Sequence, residues 1–280
     1  MEAIALGLLA AVGWGLHDLA VRYVSQRVPI YAALLAVLLV GLVLLVPVLV
    51  LAGLVEPVGA RAAGLSAVAG AAFAGAGIAL YKAFAIGPVR LVAPAIGSFP
   101  VLSVGLASVT GAAVSMLAWA AVLAVVGGIA LVAGGGSDAM RNRAAALAWS
   151  ALAAVGFFIT FSLGQTAAQG AETGASLLVA RGAAAATIGA VILVLRVTPW
   201  PDRRVLWLLV GMGAADAIAL TAVMVAGNVD NAAYAVVGSS IFGIVTIILA
   251  RVFLKEPMSP RQWLGVAVVF SAIAYLAATG

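Results

Sequence analysis

From Pro29 to Ala52 the sequence reads PIYAALLAVLLVGLVLLVPVLVLA, a run without one charged residue. A helix of roughly 20 mainly apolar residues crosses the hydrocarbon core of a bilayer, and such runs recur along the chain. Of its 280 residues, 66% are hydrophobic and 8% are charged, where a soluble domain carries about 25% charged residues. A chain this poor in charge cannot cover a water-facing surface, so most of its exterior must face lipid.

Breaking the sequence at charges, prolines and glycine clusters gives ten candidate spans. The first five are Glu2–Val24, Pro29–Ala52, Ala63–Ile86, Leu91–Val109 and Ala112–Ala133. The second five are Ala144–Gln169, Thr173–Leu195, Val205–Ala226, Asn231–Leu254 and Pro260–Ala278. The first apolar run, Ala3 to Leu19, exceeds the h-region of about 7–15 residues in a signal peptide and reads as a retained span. The expected fold is therefore all-α and polytopic, one bundle with short connections.

The stretch GGGSDAMRNR (134–143) divides the chain near its middle, and the two halves echo each other. AVGW (11–14) matches AVGF (154–157), APAIGSFPVLSV (93–104) matches AYAVVGSSIFGIV (233–245), and Trp119 and Trp263 each begin a final span. These pairs predict two repeats, residues 1–135 and 141–280. Five spans per repeat is an odd number, so the second copy enters from the opposite face. Inverted repeats of this kind place a working site near the midplane, at the interface between copies.

Lys and Arg set the expected orientation. Twelve of the fourteen lie in or beside the connections after spans 1, 3, 5, 7 and 9: Arg22, Arg27, Lys82, Arg90, Arg141, Arg143, Arg196, Arg203, Arg204, Arg251, Lys255 and Arg261. Arg61 alone marks the other face, and Arg181 is inside a span. The positive-inside rule then places both termini outside the cytoplasm. The net charge of +5 is scattered between apolar runs rather than clustered, which suits lipid headgroups and not nucleic acid. With no cysteine and one histidine, thiolate and multi-histidine metal sites are excluded. No phosphate-binding glycine loop is present, so neither ATP nor another cofactor is expected.

The segment GSSIFGIVTIILARVFLKEPMSPRQWLGVAVVFSAIAYLA (238–277) resembles the end of an EamA domain. It carries a small-residue helix, the Lys255-Glu256 turn, and a helix beginning Gln262, Trp263 and Gly265. GWGLHDLAVRYVSQRVPIYAALLAVLL (13–39) resembles the opening helices of the same domain. The first copy departs from the pattern, having SVTGAAVS (108–115) where the acidic turn would stand. The resemblance implies the drug/metabolite transporter superfamily, with ten helices and solute export across an inner membrane. Its YddG-type members export amino acids. Many members keep their termini in the cytoplasm, against the orientation expected here from charge.

Ionisable residues inside a span cost free energy, about 2.5–3.5 kcal/mol each at a helix centre on insertion scales, and so are functional candidates. Four stand out: His17, Asp18, Arg181 and Asp216. Arg181 is suited to a substrate carboxylate, because a guanidinium fork matches that group; alternatively it pairs with Asp216 as a buried structural bridge. Asp18 and Arg22 are four residues apart and share a helix face. The favoured arrangement has Asp18 on Arg22 and His17 facing a central cavity, where an imidazole of reference pKa about 6.5 can carry a proton. The alternative is a snorkelling Asp18–Arg22 pair that only caps the cytoplasmic half of the span. Trp14, Tyr81, Ser98, Phe99, Tyr234, Ser239 and Ser240 complete the candidate substrate site, since aromatic walls with a few polar groups make small-molecule pockets. Each can equally be a packing or lipid-facing residue. Trp119, Trp200 and Trp263 are expected at membrane interfaces.

The expected function is secondary export of a small metabolite, an amino acid first, by alternating access across the inner membrane, with the chain working as a monomer. The alternative is an exporter or flippase of cationic drug-like or lipid-linked substrates, in which Asp216 or Asp18 would meet the cation. A membrane enzyme ranks below both, for want of a histidine–carboxylate cluster.

Overall fold

The computed structural model describes residues 2–134, 142–167, 173–198, 203–226 and 233–279, the side chains of residues 233 and 236 excepted. The regular structure among them is helical. In lipid no water is available to the backbone, so every N–H and C=O must be satisfied within the span, and the helix does this alone. Nine described segments are long and apolar enough to cross a membrane, with Val237–Phe253 as a shorter apolar one. The protein is thus a multi-pass helical membrane protein.

The helices are α1 (Glu2–Val24), α2 (Ile30–Leu51), α3 (Ala60–Ile86), α4 (Val89–Gly97), α5 (Pro100–Val109) and α6 (Met116–Ala133), then α7 (Arg143–Ala167), α8 (Thr173–Leu195), α9 (Leu206–Ala226), α10 (Ala233–Ser240), α11 (Phe242–Phe253) and α12 (Pro260–Thr279). The expected fourth and ninth spans are each broken in two. Pro100 starts α5, a position where its missing N–H costs nothing. The second break, at Ile241, has no proline. The two share a local device: before each break a serine hydroxyl donates back to the carbonyl three residues earlier, Ser98 to Ala95 and Ser240 to Val237, both at 2.7 Å. Such back-bonding competes with the helical ladder.

Glycine and alanine let the helices approach closely. α1 packs on α9, α10 and α11; α3 on α7 and α8; α2 on α8 and α9; and α6 on α12. A Cβ on Gly13 would stand 2.8 Å from the Ala215 carbonyl of α9, and one on Gly156 of α7 would stand 2.8 Å from the Ala76 side chain of α3. The main core runs through α1, α2, α3, α4, α6, α7, α8, α9, α11 and α12, with Tyr81, Phe84 and Phe270 its largest fully buried side chains.

Candidate functional site

Four of the helices bring charged or polar groups to one small space inside this apolar bundle. Arg181 of α8 places Nη1 2.9 Å from Oδ2 of Asp216 on α9. The other carboxylate oxygen, Oδ1, accepts the Trp14 indole N–H of α1 at 3.2 Å, so both oxygens of Asp216 are engaged. The Arg181 guanidinium also lies over the ring of Phe73 on α3, 4.6 Å from its centroid, a cation–π contact that strengthens when water is excluded. Arg181 and Asp216 are 5% and 6% exposed. Burying both charges costs desolvation that only good geometry and further polar contacts offset; Trp14 supplies a hydrogen bond and Phe73 a cation–π contact. The close approach has a cause in sequence: Gly70 of α3 faces Ala180 of α8, beside Arg181, and Gly13 of α1 faces Ala215 of α9, beside Asp216.

His17, one turn after Trp14, stands on the same side of α1, with Nδ1 3.1 Å from Oδ1 of Asp18. The expected Asp18–Arg22 pair is not formed. Arg22 finds acceptors at the end of the bundle instead: Nη1 donates to the Phe84 carbonyl and, at 3.3 Å, to that of Ala85 in the last turn of α3, and Nε lies 3.9 Å from Glu256. Exposed carbonyls at a helix C-terminus attract a cation, whereas Asp18 is buried and has His17 beside it.

Together these groups enclose a cavity of about 30 Å³, lined by His17, Phe73, Tyr81, Phe157, Arg181 and Asp216, with Leu34, Val37 and Leu38 of α2 closing one side. That is room for a water molecule or so. Tyr81 is buried in the wall, and its hydroxyl has no hydrogen-bond partner. A larger groove of about 520 Å³ between α6 and α12 is shallow and apolar, lined by Leu117, Ala121, Ala124, Val268, Ser271 and Tyr275; it carries no charged group.

Of the residues singled out in the sequence, Trp14, His17, Tyr81, Arg181 and Asp216 meet at the cavity. Ser98 and Phe99 sit at the break between α4 and α5, outside it. Phe99 is linked to it through rings: Phe99 to Phe161 at 5.1 Å, Phe161 to Phe157 at 6.3 Å, and Phe157 to Phe73 at 5.8 Å. Tyr234, Ser239 and Ser240 do not line the cavity; Tyr234 is 58% exposed near the start of α10. Trp119 and Trp263 are exposed, and Trp200 and Arg141 lie outside the described residues.

Sequence reading missed the aromatic half of the site: Phe73, Phe157 and, against Trp14 at 6.2 Å, Phe242. A signal was available for one of them, because the AVGW/AVGF match sets Phe157 opposite Trp14. A second polar cluster also went unseen. The carboxylate of Glu256, between α11 and α12, accepts the backbone N–H of Val89 at 3.0 Å and of Arg90 at 3.4 Å, and lies 3.8 Å from Arg90 Nη1.

No family model and no curated protein matches the chain. One solved structure, described only as "Crystal structure of protein", is similar with a TM-score of 0.64 at 18% identity, covering 99% of this chain and 97% of its own. That likeness is one of fold.

Proposed function

We propose that the protein is a secondary transporter of the drug/metabolite type that exports small metabolites, amino acids first, across the inner membrane through the cavity around Arg181 and Asp216. The observation that carries this reading is a charged, hydrogen-bonded cluster, costly to bury, enclosed by apolar helices and lining a space that is closed in this conformation. An intramembrane ion pair that bounds a cavity is the usual mark of a solute or ion path.

The repeat expected from sequence is supported by what surrounds the cavity. An offset of 143 residues pairs Trp14 with Phe157, Leu38 with Arg181, and Phe73 with Asp216. Five of these six line the cavity, and the sixth, Trp14, bonds to Asp216. Exchanging halves carries α1 to α7, α2 to α8 and α3 to α9. It therefore carries the α1–α9 contact to α7–α3 and the α2–α9 contact to α8–α3, all four of which exist. Both broken spans also fall at matching places. A site straddling two such copies suits alternating access, in which the copies rock about a fixed centre.

A space of about 30 Å³ does not admit an amino acid, so the helices around it must part during a cycle. Asp216 is neutralised by Arg181 and is not a free counter-charge for a lipophilic cation, which favours metabolites over cationic drugs. The test is uptake into liposomes holding the purified chain, with a panel of amino acids, with and without a pH gradient. Uptake of at least one amino acid is expected. Uptake of lipophilic cations with none of any amino acid would overturn the reading.

A further inference from the structure

We propose that the Arg181–Asp216 bridge is a bound stand-in for substrate: the solute that opens it must replace each partner for the other, so the site accepts molecules bearing a carboxylate and an ammonium on one small frame and rejects those bearing either alone. This rests on the reading of the cavity as the transport site and adds a rule of selection to it.

Charge balance inside the bundle sets this rule. Arg181 and Asp216 are both buried and are each other's closest counter-charge. A solute with only a carboxylate could take Arg181, but Asp216 would then be a buried, uncompensated anion. A solute with only an amine would leave Arg181 in the same state. Uncoupling one partner of a buried pair costs about 3–5 kcal/mol. A zwitterion brings both charges, and each protein group exchanges one partner for another at little net cost. The remaining carboxylate nearby, Asp18, already has His17 at 3.1 Å, so it does not relieve the imbalance.

The fixed contacts fit this exchange. Trp14 holds Oδ1 of Asp216 and Phe73 holds one face of the guanidinium, so both groups keep their places when the bond between them opens. The cavity wall carries one further clue. The Tyr81 hydroxyl is buried in it without a partner, and a buried donor without an acceptor is rare in native structures. Tyr81 and Arg181 line the same cavity, so a solute carboxylate on Arg181 has that hydroxyl beside it. The structure assigns Tyr81 as the second ligand of the carboxylate.

The test uses the purified full-length chain in detergent, with binding read by calorimetry. Alanine, threonine, leucine and phenylalanine are each compared with their deaminated acid and their decarboxylated amine. At least one amino acid is expected to bind 100-fold or more tighter than both of its analogues, the ratio that the cost of an unpaired charge implies as a lower bound. A smaller ratio for all four, or no binding by any of them, overturns the proposal. Variants supply a readout that mere structural support would not move. Asp216→Asn should invert selectivity toward the deaminated acids, and Arg181→Gln toward the amines; if one variant fails to fold, the other still reports, and unchanged selectivity in a folded variant overturns the proposal. The two readings fail separately. Binding of zwitterions without uptake into liposomes would remove the transporter and keep the exchange, whereas uptake of lone amines or acids as fast as amino acids would keep the transporter and remove the exchange.

Discussion

The carboxylate of Glu256 accepts the backbone N–H of Val89, at 3.0 Å, across 167 residues of sequence. Val89 is the first residue of α4, and Glu256 lies beyond the end of α11, so the contact ties together the two broken spans. The first turn of a helix presents unpaired N–H groups and a partial positive charge, which favour an anion there. Glu256 takes two of those N–H groups, and Arg22 and Arg90 flank it at 3.9 and 3.8 Å. Arg22 in turn caps the carbonyl end of α3. One end of the bundle is therefore held by a single carboxylate that joins α1, α4 and the α11–α12 turn. The turn is shaped by Lys255, whose φ of 55° is left-handed, a conformation that costs a non-glycine residue roughly 1–2 kcal/mol.

Removing that carboxylate should loosen this end. Glu256→Ala is expected to lower stability by about 2–3 kcal/mol, the worth of hydrogen bonds to a charged group. Glu256→Gln keeps an acceptor and should lose about half of that. Lys255→Gly relieves the left-handed conformation and should raise stability by about 1 kcal/mol. Thermal unfolding of the purified variants in detergent measures all three. Equal stability of Glu256→Ala and the parent would mean that the contact carries no load.

The Arg181–Asp216 pair predicts a specific non-additivity. Either Arg181→Gln or Asp216→Asn alone leaves a buried charge without its partner and should cost about 3–5 kcal/mol. The double variant leaves two neutral amides and should cost less than the sum of the singles, by more than about 1 kcal/mol of coupling. Denaturant or thermal unfolding of the four proteins gives the cycle. Additive losses would show that the two side chains do not depend on each other.

Much of this fold is legible in sequence, because lipid imposes one rule on long segments. The bounds of α1, Glu2–Val24, and α8, Thr173–Leu195, fall where charge and apolar runs predict them. The break after Gly97 is half-visible, since Pro94 and Pro100 flank it, but Ile241 looks like any apolar helix residue and its break depends on packing. The charged members of the cluster stand out because an ion in a span is expensive. Phe73 and Phe157 do not, since an aromatic ring in an apolar helix gives no sign of which way it faces. Asp18 misled for a related reason: spacing of four residues allows a pair with Arg22, but the carbonyls of α3, contributed from 62 residues away, compete for the same guanidinium.

Two glycines in α3 should respond oppositely to the same substitution. A Cβ on Gly70 would stand 2.9 Å from the Ala180 carbonyl carbon and the Ala183 side chain, whereas Gly75 has nothing within 4 Å. Gly70→Ala must therefore push α8 away from α3, beside Arg181, at about 1–3 kcal/mol for overpacking. Gly75→Ala only removes backbone freedom and should stabilise the helix by about 0.5–1 kcal/mol. Unfolding temperatures of the two variants decide this, and a stabilised Gly70→Ala would count against the close α3–α8 contact.

Orientation is open to a direct measurement, because the chain has no cysteine and a single introduced thiol is a clean label. The contacts of Arg22 and Arg90 with Glu256 bring the ends of α1 and α3, the start of α4 and the α11–α12 turn to one end of the bundle. Three of the five Arg- and Lys-rich connections read from sequence, those after spans 1, 3 and 9, thus share one end of the bundle. The positive-inside rule predicts that this face is cytoplasmic. Val55→Cys, in the exposed connection between α2 and α3, should then react with a membrane-impermeant maleimide in intact cells. Arg203→Cys, on the opposite face before α9, should react only after the membrane is opened. The reverse pattern would place the basic face outside and put both termini in the cytoplasm.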